Sequence, residues 1–224
     1  MSYILNIETA TKNCSVALSK EGKTIVCFET AEEGYSHAEK LHVFIEQSIK
    51  EAGIDYKDLS AVAVSQGPGS YTGLRIGVSA AKGLCYALGI PLIAIDTLQS
   101  LASQVGVKDG LIVPMLDARR MEVYNAIFTS NLEYIRATQA EIITEESFSA
   151  IHEKIYFVGD GTQKCMTVLK KDNFIFIEGV IFPSAKEMCV LSYQKYSHND
   201  IVDVAYFEPF YLKDFMVTLP KSKL

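Results

Sequence analysis

One stretch decides the fold, and it reads Gly67-Pro68-Gly69-Ser70-Tyr71-Thr72-Gly73-Leu74-Arg75-Ile76-Gly77. An apolar run, Leu59 to Val64, precedes it and small residues are frequent after it, so the pattern predicts a strand, a tight turn and a helix. Such a junction often binds phosphate, because glycines let backbone N–H groups approach closely and a helix N-terminus favours anions. The alternative is a structural turn, in which the glycines supply unusual φ angles and close packing.

The known phosphate-binding and nucleophile fingerprints all fail in this stretch. G-x-G-x-x-G requires a third glycine where the chain has Thr72, and no G-K-[ST] follows to complete a P-loop. A nucleophile elbow, G-x-S-x-G around Ser70, requires glycines where Pro68 and Thr72 stand. The local pattern therefore favours a structural turn, and its residues are Gly67, Pro68, Gly69 and Gly73.

Length and composition describe an ordinary globular chain. With 224 residues it can form one large domain or two small ones, and 49% apolar with 21% charged residues is a typical balance. No run approaches the roughly 18 apolar residues that a membrane span requires. The first residues lack a basic segment and include Glu8, which argues against a signal peptide. We therefore expect a cytoplasmic protein without a membrane partner.

Charge and cysteine content limit the classes of function. The net charge is −6 and no basic stripe is evident, so any role on RNA is expected to depend on a partner that carries the positive charge. The five cysteines are scattered without a C-x-x-C pair, which indicates reduced thiols. His37 and His42 are too far apart in sequence to share one helical face as metal ligands. A metal site is therefore not expected.

The hydrophobic pattern predicts two α/β halves. The first half reads β-β-β-α-β-α-β-α, with helices over His37 to Ala52 and Leu74 to Leu88, and a third helix that Thr97 caps. The second half contains several strands, a short helix over residues 145–153, and a last helix over Ser184 to Tyr196. An extended aromatic tail follows.

One charged cluster directly follows a predicted strand of the second half. Its residues are Asp117, Arg119, Arg120 and Glu122. Ligand-facing residues often lie at such a strand end, so the cluster is a candidate polar site. An internal ion-pair network or a solvated turn would explain the same residues, and the sequence leaves these interpretations open.

Several motifs occur together, in the order found in one bacterial family. They are Ile7-Glu8-Thr9-Ala10-Thr11, Cys14-Ser15-Val16-Ala17-Leu18, the glycine stretch, Ala81-Lys82-Gly83-Leu84, Leu116-Asp117-Ala118-Arg119-Arg120-Met121-Glu122-Val123-Tyr124, and Pro209-Phe210-Tyr211-Leu212-Lys213. Together they closely resemble the TsaB (YeaZ) family. The resemblance implies an α/β fold of the actin-like, sugar-kinase/Hsp70 type (ASKHA), in which each of two lobes is a mixed sheet with flanking helices. Residues 1–106 would form the N-terminal lobe, with the glycine turn and the partner-binding helices, and residues 107–224 the C-terminal lobe, whose last residues can return to the first.

The resemblance also implies a function. Proteins of this family take part in forming N6-threonylcarbamoyladenosine (t6A) at position 37 of tRNAs that read ANN codons. The chain would then be a non-catalytic subunit that forms a heterodimer with the catalytic subunit TsaD, with the ATPase TsaE joining the complex. Contact with tRNA is expected only through that complex. No cofactor is expected on this chain, since ATP and metal would be bound by the partner subunits.

The catalytic relatives carry an H-x-x-x-H metal motif after the strand that follows the glycine turn. Aligned on the turn and on Pro91, the two histidines fall at Thr97 and Leu101, which are not competent metal ligands. In the family, the two helices beside the turn form a bundle with the partner and can also pair two copies of the chain. The interface predicted on those helices consists of Leu41, Phe44, Ile45, Ser48, Ile76, Ala80 and Gly83.

Two other functions stay open at this point. The wider family has been labelled a glycoprotease, which would make the chain a metallopeptidase, although the sequence offers no evident metal ligands for that chemistry. The fold and the glycine turn would also suit a stand-alone ATP-binding protein, for which we expect weak or absent ATP binding by the isolated chain.

Overall fold

The computed structural model describes residues 1–31 and 37–212. The apolar runs of the first half of the chain form the first of two sheets. Its strands are β1 (Tyr3–Glu8), β2 (Cys14–Lys20), β3 (Lys23–Thr30), β4 (Leu59–Gly67) and β5 (Leu92–Asp96). Their order is β3-β2-β1-β4-β5. β1, β2 and β3 pair antiparallel, whereas β1, β4 and β5 pair parallel. β1, β4 and β5 are buried almost throughout, as expected for strands covered on both faces.

The second sheet repeats the topology of the first. Its strands are β6 (Leu111–Asp117), β7 (Glu122–Thr129), β8 (Tyr134–Ile142), β9 (Ile155–Val158) and β10 (Phe174–Phe176). Their order is β10-β9-β6-β7-β8, with β6, β7 and β8 antiparallel and β6, β9 and β10 parallel. Three antiparallel strands followed by two parallel ones therefore occur twice along the chain.

Helices cover both faces of the first sheet. The helices are α1 (His37–Glu51), α2 (Tyr71–Leu88), α3 (Thr97–Ala102), α4 (Thr162–Cys165) and α5 (Ala185–Ser197). α1 and α2 bury Leu41 and Val78 in a core with Val62 of β4. α5 buries Met188 in a separate core with Ile4 of β1, on the opposite face of the sheet. α5 therefore packs on the sheet built from the first half of the chain, although it follows both sheets in sequence.

Most predicted elements of the first half are confirmed. The order β-β-β-α-β-α-β-α is present, and Gly89 ends α2 with a left-handed φ of 65°. α3 does begin at Thr97, but its cap is Asp96, whose Oδ1 accepts hydrogen bonds from the N–H groups of Leu98 and Gln99 (2.8 and 3.0 Å). A carboxylate satisfies two free N–H groups there, so the prediction that Thr97 caps this helix is wrong.

The short helix predicted over residues 145–153 is also wrong. The segment forms successive turns instead, with i to i+3 hydrogen bonds. Phe148 has a φ of 59° and is buried, with its ring 5.4 Å from that of Phe157. Placing this ring in the core requires a left-handed residue, which a right-handed helix excludes.

The C-terminal segment runs back across the first sheet and α2. Val202 pairs with Leu92 at the edge of β5, and Lys82 Nζ donates to the carbonyls of Ala205 and Phe207 (3.1 and 3.0 Å). The predicted extended tail is described as far as residue 212, so Lys213 lies outside the described residues. The boundary at residues 106–107 stays a prediction. Among the described helices, none is long and apolar enough to cross a membrane.

Candidate functional site

The glycine turn between β4 and α2 is covered by the loop that follows β1. A Cβ on Gly69 would lie 2.3 Å from the carbonyl oxygen of Ala10, and one on Gly73 would lie 2.1 Å from that of Thr9. Ser70 N–H donates to the Ala10 carbonyl (2.7 Å), and Thr9 Oγ1 donates to the Gly73 carbonyl (2.8 Å). These positions require glycine because another backbone approaches them. The place where a phosphate would approach the N-terminus of α2 is thus occupied by the chain itself.

Thr97 and Leu101, where the resemblance placed the two histidines of a metal motif, make internal contacts in this chain. Thr97 Oγ1 accepts a hydrogen bond from Gly67 N–H (3.1 Å), which ties the start of α3 to the glycine turn. Leu101 is fully buried in the core beneath the second sheet. Among the described residues, no group of three or more His, Cys, Asp or Glu side chains is placed to bind a metal ion.

Glu8 is a buried carboxyl group at the end of β1 that the sequence reasoning did not single out. Its Oε1 accepts hydrogen bonds from Ala10 N–H (2.6 Å) and Ser65 Oγ (2.9 Å). Its Oε2 has no hydrogen-bond partner in the described part of the chain. Burial raises the pKa of Glu8 to about 7, and the charge of Asp96 acts in the same direction. The sequence signal that could have identified this group is an acidic residue at the end of an apolar strand.

The predicted cluster around Asp117 is brought together with two residues that the sequence did not indicate, Asp160 and Lys164. Asp117 Oδ1 accepts hydrogen bonds from Lys164 Nζ (2.5 Å) and Arg119 N–H (2.8 Å). Lys164 Nζ also donates to the Glu122 carbonyl (2.6 Å), and Asp117 N–H donates to Asp160 (2.9 Å). Partial burial would raise the pKa of Asp117, but the hydrogen bonds from Lys164 and Arg119 N–H and the charges of these two residues together outweigh it and lower that pKa.

The two arginines of this cluster do not take part in its ion pair. Arg119 and Arg120 form the turn between β6 and β7, with φ angles of 72° and 49°, and both are exposed. Neither guanidinium makes a hydrogen bond or ion pair with the rest of the described chain. The ion-pair interpretation therefore applies to Asp117 and Lys164, whereas the arginines point to solvent from a fixed turn.

A polar contact links the two sheets on another side. The Tyr134 hydroxyl of β8 lies close enough to Asp96, at the end of β5, for the two groups to affect each other's pKa, and Gln99 Nε2 donates to the Leu132 carbonyl (3.3 Å). Burial raises the pKa of Asp96, and the hydrogen bonds that it accepts oppose this rise. The hairpin of β7 and β8 is thereby fastened to the start of α3.

The helices predicted to bind a partner enclose a surface groove of about 490 Å³. Its lining comprises His42, Ile45, Glu46, Tyr56, Ser79, Ala80, Gly83 and Leu84. Phe44 and Ile76 are half-buried beside the core of the first sheet. Leu41 and Ser48 are fully buried in this chain, because the sheet covers the apolar stripe of α1. These two side chains have no exposed surface with which to contact a partner, so they do not belong among the predicted interface residues. The interface itself stays a prediction.

Comparison with known proteins relates this chain to enzymes and proteins of tRNA modification. The family model described as TsaD, tRNA N6-adenosine threonylcarbamoyltransferase, matches residues 31–219. The tRNA threonylcarbamoyladenosine biosynthesis protein TsaB of Escherichia coli K12 is 30% identical over 94% of both chains. The chain belongs to the TsaB (YeaZ) family. The resemblance that the motifs indicated is confirmed.

The fold of this TsaB-family chain is similar to those of solved structures. YeaZ from Pseudomonas aeruginosa aligns with a TM-score of 0.80 at 25% identity, over 95% of this chain and all of that one. Component A of the (R)-2-hydroxyglutaryl-CoA dehydratase of Acidaminococcus fermentans aligns with a TM-score of 0.53 at 9% identity, over 88% and 100%, and shows the fold alone. The predicted actin-like fold of two mixed sheets with flanking helices is confirmed.

Proposed function

We propose that this chain is a non-catalytic subunit of the machinery that forms t6A at position 37 of ANN-reading tRNAs. It acts by forming a heterodimer with a TsaD-type catalytic subunit, and a TsaE-type ATPase joins the complex. ATP and metal are bound by those partners. Two copies of this chain use the same surface when the catalytic subunit is absent.

The observation that carries this proposal is the groove between α1 and α2. Small residues, Ser79, Ala80 and Gly83, form one wall, so a partner helix can approach the backbone of α2 closely. Leu84 supplies apolar surface within the groove, whereas Ile45 lies beneath it and is only 3% exposed. A small, partly apolar concavity flanked by two helices suits helices of another subunit better than a small ligand.

The non-catalytic role is supported by what occupies the positions of the relatives' chemistry. Thr97 and Leu101 replace the histidines of the metal motif, and both are committed to internal contacts. The loop of Thr9 and Ala10 covers the glycine turn with its own carbonyl groups. A carbonyl oxygen there repels a phosphate, so this turn does not favour the stand-alone ATP-binding function.

Gly83 offers the sharpest test, because a side chain there can fill the groove without disturbing the fold. A Cβ on Gly83 would meet no atom within 4 Å, and the residue lies inside α2. We expect Gly83→Arg to weaken binding of purified TsaD by about 30-fold or more, as at an interface hot spot. Titration calorimetry measures the affinity, and reconstituted t6A formation should fall in parallel.

Two variants control this test. Gly83→Ala adds only one methyl group and should keep the affinity for TsaD. Val190→Arg adds the same charge and bulk on α5, on the opposite face of the first sheet, and should also leave binding unchanged. Unaltered TsaD affinity of Gly83→Arg would exclude the groove as the contact, and t6A formation by TsaD and TsaE at full rate without this chain would refute the function.

A further inference from the structure

The turn between β6 and β7 has a strained backbone that hydrogen bonds at its base hold in place. The proposed function assigns no role to this turn. Arg119 and Arg120 both have left-handed φ angles, 72° and 49°, which asparagine and glycine adopt far more readily than arginine. Two consecutive long side chains in this region raise the energy of the turn. Such outliers persist where the surrounding structure enforces them, and they concentrate at functional sites.

The contacts below the turn hold it in this shape. Arg119 N–H donates to Asp117 Oδ1, and Glu122 N–H donates to the Arg119 carbonyl (3.1 Å). Lys164 Nζ connects Asp117 Oδ1 with the Glu122 carbonyl, so one ammonium bridges the two strands at the base of the turn. The network satisfies the polar groups at the base and leaves both guanidiniums free of internal ion pairs within the described residues.

The local charge differs from that of the chain as a whole. Beneath the turn, the carboxylates of Asp117 and Asp160 lie near the cations Lys164 and Lys12, whereas Arg119 and Arg120 form the tip of the turn. Lys12 is near enough for its charge to act on Asp160. The carboxylates lie at the base of the turn, and the arginines lie at the tip. A chain with a net charge of −6 therefore presents a positive point there.

We propose that Arg119 and Arg120 bind phosphodiester groups of an RNA backbone. A planar guanidinium matches a phosphate with two parallel hydrogen bonds, and two neighbouring arginines at a tip can reach two phosphates. Contacts of this kind orient an RNA without reading its sequence, which suits a subunit that supports chemistry performed elsewhere. The proposal rests on the proposed function, in which tRNA is the substrate of the complex.

The test replaces both arginines by residues that favour the same backbone. The double variant Arg119→Asn, Arg120→Gly removes two charges and relieves the left-handed strain, so it should fold at least as stably as the natural chain. The control, Lys170→Asn with Lys171→Gly, removes two exposed charges from a different surface. Fluorescence anisotropy of a labelled ANN-reading tRNA transcript measures its affinity for the protein. The KCl concentration is varied from about 25 to about 200 mM, which is about one decade in salt.

The measurement is made on the isolated full-length chain and again on its complex with TsaD. The arginine variant should bind tRNA about tenfold or more weakly at the lowest salt, and its log–log salt slope should shrink by about two. The lysine control should keep both the tRNA affinity and the salt slope of the natural chain. TsaD affinity should be unchanged in both variants.

Three results would overturn the RNA assignment. Equal tRNA affinity of the arginine variant and the natural chain would show that the tip does not touch RNA, and an equal loss in the lysine control would show a general charge effect. Loss of TsaD binding with tRNA affinity intact would make the tip a protein contact. Failure of the natural chain to bind TsaD would refute the proposed function instead, while the anisotropy of the isolated chain still decides the role of the arginines.

Discussion

The buried carboxyl group of Glu8 contributes to the pH dependence of this protein's stability, and Glu8→Gln should remove that contribution. In the unfolded chain this group ionises near pH 4.5, whereas burial raises its pKa to about 7 in the fold. Between these values the folded chain holds a proton that the unfolded chain has lost. The free energy of unfolding contributed by Glu8 is therefore highest below pH 4.5 and falls as the pH rises to about 7.

The magnitude follows from the size of the pKa shift. Ionising this carboxyl group in its buried position weakens the fold by about 2–3 kcal/mol between pH 5 and pH 8, since one pKa unit corresponds to ~1.4 kcal/mol. Glutamine keeps the oxygen that accepts from Ala10 and Ser65, but its amide nitrogen takes the place of Oε2, which has no partner among the described residues. The protonated carboxyl group also leaves its O–H unpaired there, but the amide adds a second unpaired N–H, which costs about 1–3 kcal/mol at every pH.

The two stability profiles should therefore cross. Urea unfolding at pH 5, 6, 7 and 8 (chosen to bracket the shifted pKa) should show Glu8→Gln to be the less stable protein at pH 5 and equal or more stable at pH 8. Asp96 and Asp160 also have pKa values raised by burial, but they are present in both proteins, so the difference between the profiles reports the ionisation of Glu8 together with its interaction with Asp96. Parallel profiles with a constant offset would show that Glu8 does not hold its proton near neutral pH.

Two further predictions concern the glycine turn and the contact between the sheets. Gly73→Ala should lower the free energy of unfolding by about 3 kcal/mol or more, because its Cβ would lie 2.1 Å from the Thr9 carbonyl oxygen. Gly83→Ala, in the same helix with open space around it, should raise it by about 0.5–1 kcal/mol through helix propensity. Tyr134→Phe removes the hydroxyl that interacts with the buried Asp96 and should cost about 1–2 kcal/mol in the same chemical unfolding measurement.

Each of these predictions can fail in a recognisable way. Equal stabilities of Gly73→Ala and Gly83→Ala would show that the loop after β1 does not press on the glycine turn. Tyr206→Phe, which alters a tyrosine that is 85% exposed, is the control for Tyr134→Phe. If the two tyrosine variants unfold alike, the hydroxyl of Tyr134 contributes nothing to the link between the sheets.

The secondary structure of the first half was predictable because its signals are local. The amphipathic stripe of α1 and the apolar run of β4 are periodic, and Gly53 and Gly89 mark the ends of their helices with left-handed φ angles. The errors came where a longer-range contact decided the backbone. Phe148 leaves the helical region because its ring packs against Phe157, and no neighbour in sequence indicates this.

The candidate site was predictable as a set of motifs but not as a geometry. The Asp117 cluster could be found because its residues adjoin the end of an apolar strand, whereas Lys164, which organises it, lies 47 residues further along the chain. Likewise, the apolar stripe of α1 was visible in the sequence, but the structure buries Leu41 and Ile45, together with the polar Ser48, in the chain's own interior. Periodicity identifies an apolar face without showing what covers it.

The sequence by itself determined most of the strands and helices of the first half, the glycine turn between β4 and α2, and the family through motifs in a fixed order. Only the tertiary structure decided which groups meet: the carbonyls of Thr9 and Ala10 over the glycine turn, Ser65 at Glu8, and Lys164 below the two arginines. The physical reason is that propensity and periodicity act over a few residues, whereas burial, pKa and surface charge depend on groups that the fold brings together from distant parts of the chain.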